Sequence, residues 1–345
     1  MRLRFCAVAV CLLAVIGLSG FRPHGSHALP ETPPSRPPDA QRRLLPPEQT
    51  GRPPQFVVVS FDGSGGARLW GYWRSVARQA HAHFTFFVSG VYLIDWEQSS
   101  RYHPPRHARG RSDIGFAPDP AFAAATREQA AAAYDEGHEI GTHFNGHFCA
   151  PYDGNVDEWT AADWIDELDQ FDGLMFSGLA LPFGADEVVG TRTPCLQGNP
   201  RVLYPVLARR GFRYDASQVA LLGTWPWRED GIWSVPLLEL PFVGHTFRVV
   251  SMDYNFLANQ TGASADLERE TYLTFRRAFR TSYRGNRAPL SIGFHFESWH
   301  DGAYDRALAR FLGETCRLRD VRCTSIRELV DWLDLRFPRL AAYPH

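Results

Sequence analysis

The chain has 345 residues, of which 44% are hydrophobic and 13% aromatic, enough to bury one large core. Its 36 basic residues are all arginine, and its formal charge of −2 becomes −5 without residues 1–28, which hold three arginines and no acidic residue. A mildly acidic protein has no general electrostatic attraction to nucleic acid or to an anionic membrane surface. We therefore expect neither of them as a partner.

The first 28 residues have the pattern of a secretory signal peptide. Two arginines near the start precede the apolar run 5–18, which is too short to span a membrane comfortably, and residues 26–28 form a small-x-small cleavage site. An uncleaved N-terminal anchor is the alternative. The pattern predicts a secreted or cell-envelope protein that has no integral membrane span in its mature form.

Residues 29–54 are rich in proline and poor in large apolar side chains, which predicts a disordered linker. The folded domain is expected over residues 55–340. Four cysteines lie in this domain, and an even number favours disulfides outside the cytoplasm. Cys316 and Cys323 are close enough in sequence to pair, which leaves Cys149 for Cys195. Four reduced, buried thiols are the alternative.

Apolar runs of strand length alternate with helical patterns throughout the domain. The predicted strands are 56–61, 84–88, 138–142, 188–191, 212–214, 232–235, 239–240, 247–252, 290–296 and 321–323. The predicted helices are 69–80, 120–136, 159–176, 200–210, 264–282, 303–315 and 325–335. Such alternation predicts a parallel sheet with helical cover, either open or closed into a barrel.

The stretch GHEIGTHFNGH, from Gly137 to His147, carries the first chemical signal. His143 and His147 are four residues apart, and on one helical turn such residues share a face. Two imidazoles presented in this way can bind one divalent cation. We expect this turn to follow directly after the strand predicted at 138–142.

Further polar landmarks occupy similar places along the chain. Asp62, His143, Arg192, Asp253 and His295 each lie at or near the C-terminal end of a predicted strand. In a barrel of parallel strands, active sites are built at that rim. The five side chains are therefore expected to converge.

Six short segments of the sequence resemble the motifs of one family. VVVSFDG, FTFFV, GHEIGTHFNGH, GTRTP, GFRYDAS and SIGFHF occur in the order found in NodB-type polysaccharide deacetylases, which include chitin, peptidoglycan and xylan deacetylases. The resemblance covers about residues 55–335. It implies a single-domain α/β fold, a distorted (β/α) barrel. It also implies a hydrolase that removes acetyl groups from an N- or O-acetylated polysaccharide with one bound divalent metal, usually zinc.

The resemblance also implies roles for individual residues. Asp62 matches the catalytic base, and Arg192 matches the arginine that positions this base. His295 matches the catalytic histidine, and Asp253 loosely matches the aspartate that pairs with it.

His143 and His147 match the two metal-binding histidines, but Gly63 stands where the family has a metal-binding aspartate. Catalytic zinc sites usually have three protein ligands. Asp62 itself, Asn145 or Asp153 are candidates for the third ligand. The alternative is a catalytically degenerate relative that only binds carbohydrate.

The same residues allow other interpretations. A serine hydrolase is disfavoured because no Gly-x-Ser-x-Gly elbow is present. A two-carboxylate glycosidase would use Asp62 with Glu239 or Glu297. Asp215 is expected to pin a turn, and the acidic residues of the helix at 159–176, including Glu167, are expected to face solvent.

Overall fold

The computed structural model describes residues 52–178 and 180–337. The predicted signal peptide and most of the predicted linker lie outside the described residues. Within these ranges, a largely parallel sheet curls into an incomplete barrel with helices packed against it, which confirms the predicted fold class. None of the helices in these ranges has the length and apolar character needed to cross a membrane.

The strands and helices follow the predicted alternation. The strands are β1 (Gln55–Asp62), β2 (Thr85–Val88), β3 (Glu139–Thr142), β4 (Gly190–Thr191), β5 (Tyr214–Asp215), β6 (Val219–Leu221), β7 (Trp227–Glu229), β8 (Ile232–Ser234), β9 (Leu237–Pro241), β10 (Arg248–Val250), β11 (Leu290–His295) and β12 (Val321–Thr324). The helices are α1 (Arg68–Ala80), α2 (Pro120–Asp135), α3 (Ala161–Met175), α4 (Pro200–Arg209), α5 (Asp253–Leu257), α6 (Ser264–Arg284), α7 (Ala303–Thr315) and α8 (Ile326–Arg336).

The main sheet has the strand order β11–β1–β2–β3–β4–β5–β8–β7, and β12 pairs with the first half of β1 on the same side as β2. All of these pairs are parallel except β7–β8. A second sheet has the order β10–β9–β6. A bridge between Met252 and Gly293 connects it to β11. This connection brings the residues after β10 next to the end of β11.

Side chains of β1 alternate between two cores, as expected for a strand that is buried on both faces. The odd-numbered residues 57–61 join the larger core with residues of α1. Phe56 and Val58 join a smaller core with residues of α8. Ser60 and Asp62 continue along this second face. Apolar packing at the start of β1 therefore gives way to polar groups at its end.

Two details of the prediction change. The region between β5 and β10 contains β6 and β7, which the sequence pattern did not predict. Strand β10 ends at Val250, so Asp253 does not follow it directly but begins the short helix α5. Both predicted disulfides are present, between Cys149 and Cys195 and between Cys316 and Cys323.

Candidate active site

The polar residues predicted at strand ends converge at the rim formed by the carboxyl ends of the parallel strands. Asp62 and His295 end neighbouring parallel strands and are directly opposite each other in the register of β1 and β11. His143 follows β3, and Arg192 follows β4. Because β1, β2, β3 and β4 are consecutive parallel neighbours, their carboxyl ends lie at the same rim.

Asp62 and Arg192 form a buried ion pair. The Arg192 side chain is fully buried, and its Nη1 donates to Asp62 Oδ1 at 2.9 Å and to Ser60 Oγ at 2.7 Å. Burial alone would raise the pKa of Asp62, but the Arg192 guanidinium, with His143 and His295 nearby, outweighs burial and lowers it. Asp62 is therefore ionised at neutral pH.

The turn after β5 holds Arg192 in place. Arg192 Nε donates to the carbonyl of Ala216 at 2.9 Å. The preceding Asp215 is buried and accepts hydrogen bonds from the hydroxyl groups of Thr191 and Ser217. Asp215 thus pins this turn, as predicted. The Ala216 carbonyl in the turn orients the guanidinium of Arg192.

Asp253 and His295 form a second pair beside the first. Asp253 Oδ2 accepts a hydrogen bond from the His295 backbone N–H at 2.9 Å, and Asp253 Oδ1 lies 2.7 Å from His295 Nδ1. Because a carboxylate only accepts, Nδ1 carries the proton and Nε2 is the ring nitrogen left for other partners. Burial alone would lower the pKa of His295, but Asp253 and then Asp62 outweigh burial and raise it. We call these four residues, Asp62, Arg192, Asp253 and His295, the paired region.

The two histidines of the GHEIGTHFNGH stretch lie close together, but the predicted helical turn is wrong. Residues 143–147 form an irregular loop, in which Phe144 and His147 have positive φ angles of 59° and 61°. Positive φ is uncommon for residues other than glycine, and such strained positions cluster at functional sites. The loop still places the rings of His143 and His147 side by side, with centroids 5.1 Å apart. We call residues 143–147 the imidazole loop.

Both imidazoles are neutral. His143 Nδ1 lies 2.8 Å from the carbonyl oxygen of Arg192, so it donates, and Nε2 keeps its lone pair. His147 Nδ1 lies 3.5 Å from the sulfur of Cys149, which is bonded to Cys195. Burial lowers the pKa of His143 and lowers the pKa of His147 to about 3. Neutral imidazole is the form that binds a metal, and an Nδ1–H donated to a carbonyl is typical of histidine ligands.

The buried side chain of Glu167 supports the imidazole loop through a hydrogen bond. The solvent-facing position predicted for Glu167 is therefore wrong. Glu167 is fully buried, accepts a hydrogen bond from the Asn145 N–H at 2.9 Å and another from the Tyr102 hydroxyl at 2.9 Å. Burial raises the pKa of Glu167 to about 7. Glu167 lies three residues after buried Trp164 and four before buried Phe171, a spacing that places it on the apolar face of α3.

The described residues do not supply an obvious third metal ligand. The side-chain nitrogen of Asn145 donates to the backbone carbonyl of Glu167. The side-chain oxygen of Asn145 packs against Gly90, only 1.9 Å from the position that a Cβ on Gly90 would take. Asp153 is exposed and lines a separate cavity of about 200 Å³. Within ranges 52–178 and 180–337, one group of three His, Cys, Asp or Glu ligand atoms lies within 4.8 Å of one another. That group is His147 with the two sulfurs of the Cys149–Cys195 disulfide, which are not thiolates.

Asp62 is the remaining candidate, since it lies at the same rim and its carboxylate raises the pKa of both histidines against the effect of burial. Its Oδ1 is committed to Arg192, and no hydrogen bond within the described part of the chain uses Oδ2. Its carboxylate does not, however, belong to a three-ligand group with the two imidazoles. The donor set therefore fits a divalent cation held by two neutral imidazoles, one protein ligand short of a catalytic zinc site.

Two aromatic rings lie next to His295, and the sequence pattern did not single them out for this place. The Tyr254 ring is 49% exposed and lies 6.2 Å from the His295 ring. The Trp299 ring lies 5.6 Å from His295 and 6.0 Å from Tyr254. Tyr254 directly follows Asp253, so the residue that orients His295 also places an aromatic face at the rim.

The curled sheet with its helical cover has the fold of the NodB-type polysaccharide deacetylases. No protein-family model matches the sequence, and no curated protein matches it. Among solved structures, a candidate polysaccharide deacetylase from Mycobacterium smegmatis aligns at 14% identity with a TM-score of 0.53. The alignment covers 85% of this chain and 93% of that one.

The structure of Puue allantoinase also aligns with this chain, at 14% identity and a TM-score of 0.52. That alignment covers 82% of this chain and 91% of the allantoinase chain. At such identities the likeness shows the fold alone. The two relatives carry names that refer to different substrates on this one fold. The substrate must therefore be argued from the site of this chain.

Proposed function

We propose that this protein is a secreted, metal-dependent hydrolase that removes acetyl groups from an N- or O-acetylated polysaccharide. The observation that carries the proposal is the paired region, where a buried ionised carboxylate and a histidine with a raised pKa end adjacent strands. An acid and a base held this close, with opposite protonation states, suit hydrolysis of an amide or ester. Two disulfides support an extracytoplasmic location.

Each residue of the paired region has a distinct role in this proposal. Asp62 takes the proton of the attacking water, and Arg192 keeps Asp62 ionised and oriented. His295 donates its Nε2 proton to the departing amine or alkoxide. Asp253 fixes the Nδ1–H tautomer and stabilises the charged ring.

His143 and His147 would hold the metal, for which zinc is the leading candidate because both donors are imidazole nitrogens. A bound divalent ion supplies Lewis-acid polarisation of the acetyl carbonyl and lowers the pKa of water. The protein's own contribution is to keep both rings neutral and to fix their orientation through the Arg192 carbonyl and the Cys149 sulfur. Arg192 thus touches both halves of the site, through its side chain and its backbone.

A polysaccharide suits the rim because aromatic faces pack well against the C–H faces of sugar rings. Tyr254 and Trp299 provide such faces beside His295. No nucleic acid or membrane partner is proposed.

Acetate release by the purified protein tests this function. Acetylated xylan, chitin oligomers and peptidoglycan fragments are incubated with and without a chelator, and Asp62→Asn and His143→Ala are compared with His103→Ala. His103 is exposed and lies outside the site, so it is a matched control for losing an imidazole. We expect the chelator and both site substitutions, but not the control, to reduce acetate release. Release that survives both site substitutions would disprove the proposal.

One observation favours a second candidate, a carbohydrate-binding protein without catalysis. Gly63 leaves the imidazole loop with two protein ligands among the described residues. Such a protein would bind acetylated glycans without releasing acetate and would hold little metal. Elemental analysis and the acetate assay together separate the two candidate functions. Near-stoichiometric zinc together with acetate release contradicts the second candidate.

A further inference from the structure

Four arginines line one surface cavity on α6. Arg276, Arg277, Arg280 and Arg284 surround a depression of about 400 Å³, whose other lining residues are Val243, Leu273 and Thr281. We call this cavity the arginine groove. Arg277, Arg280 and Arg284 are exposed, so their guanidinium groups are available to a ligand.

None of these four arginines has a carboxylate oxygen within 4.0 Å among the described residues, whereas twelve other described arginines do. Elsewhere on the surface, Arg210 contacts Asp169 and Asp172 and Arg306 contacts Glu268. The acidic residues of α6 all lie in its first half, at positions 266, 268 and 270. The second half of α6 therefore carries concentrated positive charge on a protein whose net charge is negative.

The spacing of these arginines opposes helix stability. Arg276, Arg280 and Arg284 follow one another at intervals of four residues, and like charges at that spacing repel each other. The helix dipole favours basic residues in the last turn, which accounts for Arg284. It does not account for Arg276 and Arg277, which lie two turns earlier. A polyanion bound in the groove would relieve the repulsion.

The arginine groove is separate from the candidate active site. Arg284 ends α6 and leads into β11, whose opposite end carries His295. A six-residue strand spans about 20 Å. The remaining wall of the groove comes from the connection between β9 and β10, where the Val243 N–H donates to Thr274 Oγ1 at 3.1 Å. A ligand in the groove thus leaves the paired region accessible.

We propose that the arginine groove binds an anionic polysaccharide, holding one part of a polymer while another part reaches the active site. Guanidinium groups bind carboxylate and phosphate oxygens through paired hydrogen bonds. Single-stranded nucleic acid is disfavoured, because its binding sites use aromatic side chains on which bases stack, and the groove is lined by none. Naming a polysaccharide rests on the proposed function, whereas the binding itself can be measured without any catalysis.

The test compares two variants that lose the same charge. The groove variant carries Arg277→Gln, Arg280→Gln and Arg284→Gln. The control variant carries Arg201→Gln, Arg209→Gln and Arg317→Gln, all exposed, none ion-paired within the described chain and none lining the groove. Binding of polygalacturonate, an anionic polysaccharide without acetyl groups, is measured by titration calorimetry at rising salt. We expect the groove variant to bind at least about tenfold more weakly, the control variant to change less than about twofold, and affinity to fall with salt.

Three results would overturn the inference: no binding by the natural sequence, equal losses in the two variants, or single-stranded DNA of equal charge binding as tightly as polygalacturonate. Circular dichroism checks that both variants fold. Acetate release from a short neutral acetylated oligosaccharide is measured in parallel and should be the same in both variants. A natural protein that binds polygalacturonate but releases no acetate contradicts the proposed catalysis and supports the groove, so the two failures are distinguishable.

Discussion

The paired region and the imidazole loop lie at the same rim but are completed to different degrees. In the paired region, each carboxylate has a cationic partner within hydrogen-bonding distance, Arg192 for Asp62 and His295 for Asp253. The imidazole loop presents two neutral rings, and Gly63, directly after β1, stands where the resemblance to the deacetylases implies a third ligand. The charge pairs of the paired region are therefore complete, while the imidazole loop lacks a third ligand among the described residues.

This difference shows which half of the site must keep all of its partners because it carries buried charge. A buried ion pair must be complete, because removing one partner leaves an uncompensated charge that costs about 3–5 kcal/mol. Two buried neutral imidazoles leave no uncompensated charge, so a missing third ligand carries no such penalty. The imidazole loop can thus lose a ligand without loss of the fold, whereas the paired region cannot lose Asp62 so easily.

The largest effect is expected for Asp62→Asn. This change keeps the shape of the side chain but removes the proposed base, so we expect kcat/KM for acetate release to fall by about 10²–10⁴-fold. The uncompensated Arg192 should also lower the free energy of unfolding, measured by denaturant titration. Asp153→Asn is the matched control, since Asp153 is exposed and outside both pairs. Equal activity of the two variants would mean that the paired region is structural.

The support beneath the imidazole loop should matter next. Glu167→Ala leaves the Asn145 N–H and the Tyr102 hydroxyl without their acceptor, which costs about 1–3 kcal/mol for each buried donor. Asp166→Ala, a neighbouring exposed acid on α3, should change stability by no more than about 0.5 kcal/mol. Denaturant unfolding of both variants measures the difference. Similar stabilities would contradict the supporting role of Glu167.

A smaller effect is expected when the missing carboxylate is supplied. At Gly63 the φ angle is +76°, which aspartate tolerates better than most residues, and a Cβ there would meet Tyr92 at an ordinary 3.6 Å. We expect Gly63→Asp to raise zinc affinity by at least about tenfold, because it adds a third ligand.

Gly71→Asp is the control for this change, because it adds the same charge at an open position of α1. Zinc binding is measured by competition with a chelating dye. An affinity that rises equally in both variants, or in neither, would show that Gly63 is not where a third ligand belongs.

The smallest effect is a displaced pH profile. In its proposed role as the acid, His295 must be protonated, so we expect activity below its raised pKa and loss of activity as the pH rises through it. Asp253→Asn removes the charge that raises this pKa, so the alkaline limb of kcat/KM should move to lower pH. The acid limb reflects Asp62, whose lowered pKa keeps activity until the pH falls through it. An unchanged alkaline limb would assign it to another group.

The fold could be predicted from local patterns, since strands buried on both faces read as continuous apolar runs. The run before Asp62 and the run before His295 both became buried parallel strands. The short strands β6, which pairs parallel to β9, and β7, which pairs antiparallel to β8, could not be predicted in this way. They are three residues long and partly exposed, so their pairing depends on distant neighbours and not on a local pattern.

The candidate site was predictable where strand ends carry charge and not where the backbone is unusual. Asp62 ends β1 and Arg192 follows β4, and the structure brings them together. The positive φ angles of Phe144 and His147 leave no mark in the sequence, because neither residue is a glycine. Glu167 was misplaced because its charge suggested solvent, although its spacing from Trp164 placed it on the buried face.

The Cys149–Cys195 disulfide has a consequence for how the site opens. It joins the segment just after the imidazole loop to the segment just after Arg192, across 46 residues of sequence. Neither segment can swing away from the rim without carrying the other. Local unfolding therefore involves both as one cooperative unit, and their backbone amides should exchange with solvent at similar rates. Any ligand of the proposed active site would therefore meet a rim whose two flanks open together.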